Sequence, residues 1–335
     1  MKTQRLNTSE IDLQTAACIL KEGGLVAFPT ETVYGLGANA LDPEAVAKVY
    51  EAKGRPSDNP MIVHISRASD IGQLTPELSK RIIKLIENFW PGPLTLVVAK
   101  KAEVPDITTG GLDTVAVRMP DDQVALKVIT LAGCPVAAPS ANLSGKPSPT
   151  KASHVIDDLD GIIDAIVCGA DCRVGIESTV LDVSSEVATI LRPGIITAEN
   201  IEAAIGEPVA FDPTLFADKE ATTMNPQAPK SPGMKYKHYA PKAEMTVIEG
   251  QRDRVQSEIQ RLKVMNERIG LKVGVIFFEE QAFIEAAHDF FARLRELDEQ
   301  NVDLILAGAL SDKDGVGFAV MNRMLKSSGY NIAKV

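Results

Sequence analysis

Residues 179–193 read TVLDVSSEVATILRP. Two apolar, β-branched runs enclose a polar break at Ser184-Ser185-Glu186, the pattern of adjacent strands joined by a turn. Around this pair, strand and helix signals alternate. On the N-terminal side, Ser9 caps a helix that Gly23-Gly24 ends, and LVAFP (25–29) follows as a buried strand. TETVYGLGANA (30–40) reads as a polar loop, and Asp42-Pro43 opens a helix in the favoured cap-then-proline order. MIVHIS, LTLVVAK, TVAVRMP and PVAAPSA read as strands, with helices over PELSKRIIKLIENFW and DDQVALKVITLAG between them. KASHVIDDL (helix), DAIVCG (strand) and AENIEAAIG (helix) complete the series. Alternation with one adjacent strand pair predicts an α/β fold of α+β-like character, on a mixed, twisted sheet.

After Gly206 the pattern stops. EPVAFDPTLFADKEATTMNPQAPKSPGMKYKHYAPK has no period and reads as a linker or functional loop. MTVIEG, a charged helix from Gln251, LKVGVIFF, a further helix and VDLILAGA then repeat a β-α-β-α-β rhythm, and GVGFAVMNRMLKSS closes as a helix. This predicts a second, smaller Rossmann-like α/β domain. The expected division is 1–206, a linker over 207–242, and 243–335; a length of 335 residues favours two domains over one.

With 45% apolar residues, the sequence is that of a soluble globular protein, and no apolar run is long enough to cross a membrane. The start MKTQRLNTSE lacks the apolar core of a secretory signal. Cys18, Cys134, Cys168 and Cys172 show neither metal-ligand spacing nor a disulfide framework, so a reduced, cytoplasmic location is expected. A net charge of −10 disfavours a nonspecific nucleic-acid coat. Screening over about 8 Å still allows a local cationic cluster to hold a small anion.

Such a cluster is legible. KGRPSDNPMIVHI (53–65) places Lys53 and Arg55 on an exposed loop after a helix end, and Arg118 and Arg192 each end a strand immediately before a proline or one residue ahead of it. Guanidinium groups fixed at strand ends point towards the crevice where α/β sheets bind ligands. PSANLSGKPSPT adds Ser140, Asn142, Ser144 and Ser148, and the earlier loop adds Thr30 and Thr32. His64 alternates with apolar neighbours as an interior strand residue does. Gly35, Gly37 and Ala40 have dinucleotide-turn spacing, but the helix begins after them, with Asp42 where a phosphate would sit. No phosphate loop, metal-binding helix or nucleophile elbow is present. Cations, hydroxyls and amides without a nucleophile–base pair suit electrostatic stabilisation of phosphoryl transfer.

Taken together, FPTETVYGLGANA, KGRPSDNPMIVHI, FWPGPLTLV, VAVRMP, APSANLSGKPSPT, ESTVLDV, LRPG and SPGMKYKHYAP resemble the threonylcarbamoyl-AMP synthases with a YrdC-like domain, in their longer two-domain form. The resemblance implies synthesis of threonylcarbamoyl-adenylate and pyrophosphate from L-threonine, bicarbonate or CO2, and ATP, for threonylcarbamoyladenosine in tRNA. It implies a tetrad of Lys53, Arg55, Ser140 and Asn142 around the phosphates and carbamate. Thr32, His64, Arg118, Ala138 and Ser178 would surround threonine, while Arg55, Asn59, Thr114, Ser140, Ser148, Arg192 and Ser231 would touch ATP. Mg2+ would arrive with the nucleotide, SPGMKYKHYAP would fold over it, and the product would pass to a tRNA threonylcarbamoyltransferase, leaving room for an RNA contact. A double-stranded RNA-binding or ribosome-associated module is the alternative, against which the negative charge and lack of interleaved aromatics weigh. Carbamoyl-adenylate formers of metallocofactor assembly share a related domain but carry paired-cysteine zinc motifs, which this chain lacks.

Overall fold

The computed structural model describes residues 2–216, 238–312 and 315–335. The first sheet has eleven strands: β1 (Gln4–Leu6), β2 (Val26–Phe28), β3 (Gly35–Asn39), β4 (Ile62–His64), β5 (Leu94–Ala99), β6 (Thr114–Arg118), β7 (Val136–Ala137), β8 (Ala165–Val167), β9 (Thr179–Asp182), β10 (Ala188–Arg192) and β11 (Val209–Phe211). They lie in the order β1-β8-β2-β3-β7-β4-β6-β5-β9-β10-β11. The stretch 179–193 forms β9 and β10, antiparallel with Ile190 opposite Leu181, whereas β4 and β6 run parallel. The mixed sheet expected from the sequence is therefore present.

One expectation fails. GLGAN within TETVYGLGANA is a strand, antiparallel to both β2 and β7. Its lack of β-branched residues hid it, and packing explains the composition. A Cβ at Gly37 would stand 2.6 Å from Phe28 Cε1 and 2.9 Å from Val136 Cγ1. The three-residue strands β1 and β11 carry too few side chains to show a period; β11 falls inside the stretch expected to be a linker.

Helices cover both faces. Leu13, Ala16 and Leu20 of α1 (Glu10–Lys21) pack with Ala125, Val128 and Ile129 of a later helix, Gln123–Ala132, against Val26, Phe28 and Val136. On the other face lie α2 (Pro43–Lys53), α3 (Lys80–Phe89), and the helices Ala152–Leu159 and Ala198–Ile205, over Ala27, Leu36, Val63 and Leu96. A short helix, α4 (Asp106–Thr109), precedes β6; Gln123–Ala132, Ala152–Leu159 and Ala198–Ile205 are α5, α6 and α7. Asp42 caps α2 by accepting from the amides of Glu44 and Ala45, and Gly54 ends it at φ 59°.

The second unit is a four-stranded parallel sheet of β12 (Glu244–Glu249), β13 (Val273–Ile276), β14 (Leu304–Gly308) and β15 (Ile332–Lys334), ordered β13-β14-β12-β15. Val255 and Ile259 of α8 (Arg252–Arg268) cover one face. Phe290, Phe291 and Leu294 of α9 (Phe283–Glu299), with Ala319, Val320 and Met324 of α10 (Val316–Ser327), cover the other. Val33 and Ile176 of the first unit join this apolar cluster, and each such fully buried side chain contributes about 1.5–3 kcal/mol. Arg295 of α9 also donates to Pro147 O (2.6 Å) and Asp158 Oδ2 (2.8 Å). Apolar and charged contacts together seat the second unit against the first.

Candidate active site

Strand alternation builds the site. In β4, Val63 enters the helix-covered core, so Ile62 and His64 face the opposite side; in β6, Val117 turns inward and Arg118 outward. Strict alternation would place Arg192 with core residue Ile190, but the register shifts between them, and Arg192 lies with the others. These side chains line a cavity of about 50 Å3 with Thr30, Thr32, Arg55, Ala138, Ser140, Glu177, Ser178, His238 and Tyr239.

At one end the hydrogen bonds have a fixed direction. Thr30 Oγ1 donates to Val33 O (2.7 Å), so Thr32 must supply the proton shared by the two threonine hydroxyls at 2.9 Å. Thr32 in turn accepts from Arg118 Nη1 (2.9 Å). Arg118 also donates to Gly92 O (3.2 Å), and its Nη2 is ion-paired with buried Glu31 at 2.7 Å. His64 is buried beside it; burial first and Arg118 second push its pKa down to about 3, so the ring is neutral. At the other end Arg192 donates to Ser178 O (3.1 Å) and Ser178 Oγ (3.2 Å). Glu177 is the single carboxylate among the described lining residues. Burial works to raise its pKa, but Arg323 and Arg192 outweigh this and hold it below the ordinary carboxylate value. It accepts from Ser148 Oγ (2.6 Å) and bonds the Tyr239 phenol, whose pKa burial and Glu177 push up to about 12.

Of the residues named from sequence, Thr32, Arg55, His64, Arg118, Ala138, Ser140, Ser178 and Arg192 line this one cavity. Ser148 stands behind it on Glu177. Lys53, Asn59, Thr114 and Asn142 are not among the lining residues. The expectation of an exposed loop fails for Lys53: it is 2% exposed at the end of α2, and its ammonium donates to the backbone carbonyls of Ser140 and Asn142. It holds the loop that carries them. Burial, then Arg55, push its pKa well below the usual lysine value. Asn142 Nδ2 donates within that loop, to Leu143 O and Lys146 O. Asn59 is buried with an Oδ1 that has no hydrogen-bond partner among the described residues, and Thr114 starts β6 opposite Ala99. Arg55 donates to Pro60 O (3.0 Å). Ser231, with residues 217–237, lies outside the described residues, as does most of the segment expected to fold over the nucleotide. His238 and Tyr239, at its end, do reach the cavity.

Sequence reading missed Glu31, the functional weight of Glu177, and Arg323. For Arg323 a signal existed: it lies three and four residues beyond Val320 and Ala319, on the apolar stripe of α10. Among the described residues no group of three His, Cys, Asp or Glu is placed to hold a metal ion.

Residues 18–194 match the family described as Telomere recombination, and residues 196–329 that described as Threonylcarbamoyl-AMP synthase, C-terminal domain. The chain is 48% identical to the threonylcarbamoyl-AMP synthase of Pyrococcus abyssi, covering 99% of this chain and 98% of that one. It is 45% identical to that of Bacillus subtilis, covering 99% and 97%. The crystal structure of P. abyssi Sua5 complexed with L-threonine superposes with a TM-score of 0.92 at 46% identity, with both chains covered fully. Matched along both units in sequence and fold, the chain belongs to the threonylcarbamoyl-AMP synthase family.

Proposed function

We propose that this chain is a threonylcarbamoyl-AMP synthase, joining L-threonine, bicarbonate or CO2, and ATP into threonylcarbamoyl-adenylate with release of pyrophosphate. The observation that carries the reading is the convergence of Arg55, Arg118 and Arg192 on one cavity whose one described lining carboxylate, Glu177, is engaged by Arg323. The reaction brings a carbamate anion towards the α-phosphorus of a polyanion. Two unit charges 4 Å apart repel by about 4 kcal/mol at an effective dielectric near 20, so cations must offset several such terms. Neutral His64 adds no charge beside the threonine amine, which attacks CO2 only when unprotonated.

In this reading Thr32, His64, Arg118, Ala138 and Ser178 hold threonine. Arg55, Asn59, Thr114, Ser140, Ser148, Arg192 and Ser231 hold ATP, and Lys53, Arg55, Ser140 and Asn142 surround the reacting phosphate. Asn59 Oδ1, buried without a partner among the described residues, is poised for a nucleotide donor. The present 50 Å3 is far below the roughly 300–1,000 Å3 of a small-molecule pocket, so the cavity must widen to admit ATP. Mg2+ carried by the phosphates would offset further charge, since no cluster of His, Cys, Asp or Glu among the described residues is placed to hold it. In this division residues 1–206 carry the catalytic site, 207–242 are the linker, which first adds β11 to the catalytic sheet and at His238 and Tyr239 reaches the cavity, and 243–335 are the smaller domain. The adenylate then passes in the cytoplasm to a transferase that modifies tRNA. Pyrophosphate release from ATP should depend on both threonine and bicarbonate; release indifferent to threonine would refute the proposal.

A further inference from the structure

Helix α10 belongs to the second unit, yet one of its side chains stands directly behind Glu177, a lining residue of the cavity in the first. Arg323 is 0% exposed. Its Nε stands 3.2 Å from Glu177 Oε2, its Nη2 donates to Glu177 O (3.4 Å), and its Nη1 donates to the carbonyl of Pro193. Glu177 and Pro193 directly neighbour Ser178 and Arg192, the pair already joined by two hydrogen bonds. Arg323 thus clasps the two chain segments that carry this pair. It also satisfies the oxygen of Glu177 that Ser148 does not reach.

The electrostatic consequence is larger than the mechanical one. Arg192 lies in the same buried field as Glu177. A buried carboxylate that loses its partner is left uncompensated and draws more strongly on the cations that remain. After Arg323 the cation that most holds Glu177 ionised is Arg192, which lines the same cavity and would then be neutralised where a phosphate must bind. We infer that Arg323 is a positioning residue of the reaction: it engages Glu177 so that Arg192 keeps its charge and direction towards the nucleotide, making the second unit part of the active site. The inference rests on the synthase reading for the identity of the nucleotide.

The test uses calorimetric titration of the full chain with a non-hydrolysable ATP analogue and, separately, with L-threonine. Arg323→Met should weaken the ATP analogue at least tenfold and weaken threonine, whose Ser178 contact sits on a clasped segment, by a clearly smaller factor. Adding Glu177→Gln removes the competing carboxylate and should restore nucleotide affinity to within about threefold of the parent. A purely structural role would lower the bindable fraction for both ligands alike and give no rescue. Unchanged analogue affinity in Arg323→Met, or absence of rescue, overturns the inference. If Arg323→Met does not fold, Arg323→Lys keeps the cation on Glu177 but loses the clasp; nucleotide affinity within about threefold of the parent is expected, and a larger loss overturns the inference. A parent protein that binds neither ligand would instead overturn the synthase reading.

Discussion

Replacing Lys53 by methionine keeps the aliphatic stem and removes the donors. In the native chain the ammonium donates to Ser140 O and Asn142 O, while the Lys53 carbonyl accepts from Ser144 N at 2.9 Å. The end of α2 and the loop from 140 are therefore joined from both sides. Two charge-assisted hydrogen bonds contribute about 1.5–3 kcal/mol each, and a buried carbonyl left unpaired costs about 1–3 kcal/mol. Against this, methionine escapes the cost of burying an ammonium, a cost expressed in the strongly lowered pKa of Lys53. The net expectation is a loss of about 2–4 kcal/mol, or about 3–6 °C in a chain of this size. Scanning calorimetry measures the melting temperature, and titration measures the two affinities. ATP-analogue binding should weaken because the loop carries Ser140 and Ser148, whereas threonine binding, held by Thr32 and Arg118, should persist. A Lys53→Met variant melting within about 2 °C of the parent, with unchanged nucleotide affinity, would refute the view of Lys53 as a strut.

Arg55→Met should act differently, because Arg55 is half-buried and lines the cavity. ATP-analogue affinity should fall about 10- to 100-fold, the worth of one charge-assisted contact, with little change in melting temperature. Gly37→Ala should cost about 1–3 kcal/mol by forcing a methyl against Phe28 and Val136, read as a lower urea midpoint. His64 titrates near 6.5 when unfolded but at about 3 in the fold, so the unfolded chain binds more protons between these values. Its contribution to stability is full above pH 6.5 and is lost as pH falls, by about 1.4 kcal/mol per unit. His64→Gln should flatten that acid limb by one proton, and an unchanged slope would count against a buried neutral ring.

The strand pair at 179–193 was legible because β-branched runs and a polar turn are local signals. The cations at Arg118 and Arg192 were legible because a nearby proline marks a strand end. β3 was not, since its glycines answer to Phe28 and Val136, residues distant in sequence. Lys53 looked solvated because charge and a helix terminus predict exposure; what buries it is a loop nearly ninety residues later. The Glu177–Arg323 pair spans 146 residues, and only tertiary packing brings its members together. Local patterns thus disclose the elements and the strand-end cations, the family resemblance adds Ala138 and Ser178, and partners distant in sequence follow only from tertiary packing.

β11 continues the first sheet past Gly206, pairing in parallel with β10 from Ala188 to Ile190. Phe211 and Phe216 then meet Phe318 of α10 with ring centroids 5.7 and 5.6 Å away. Any attempt to isolate the catalytic unit by stopping at 206 would strip the outermost rung and leave β10 with bare amides and carbonyls, an invitation to stick to other molecules. A fragment ended after Phe216 keeps that margin sealed, so the useful dissection point lies ten residues beyond the place where helical periodicity ends.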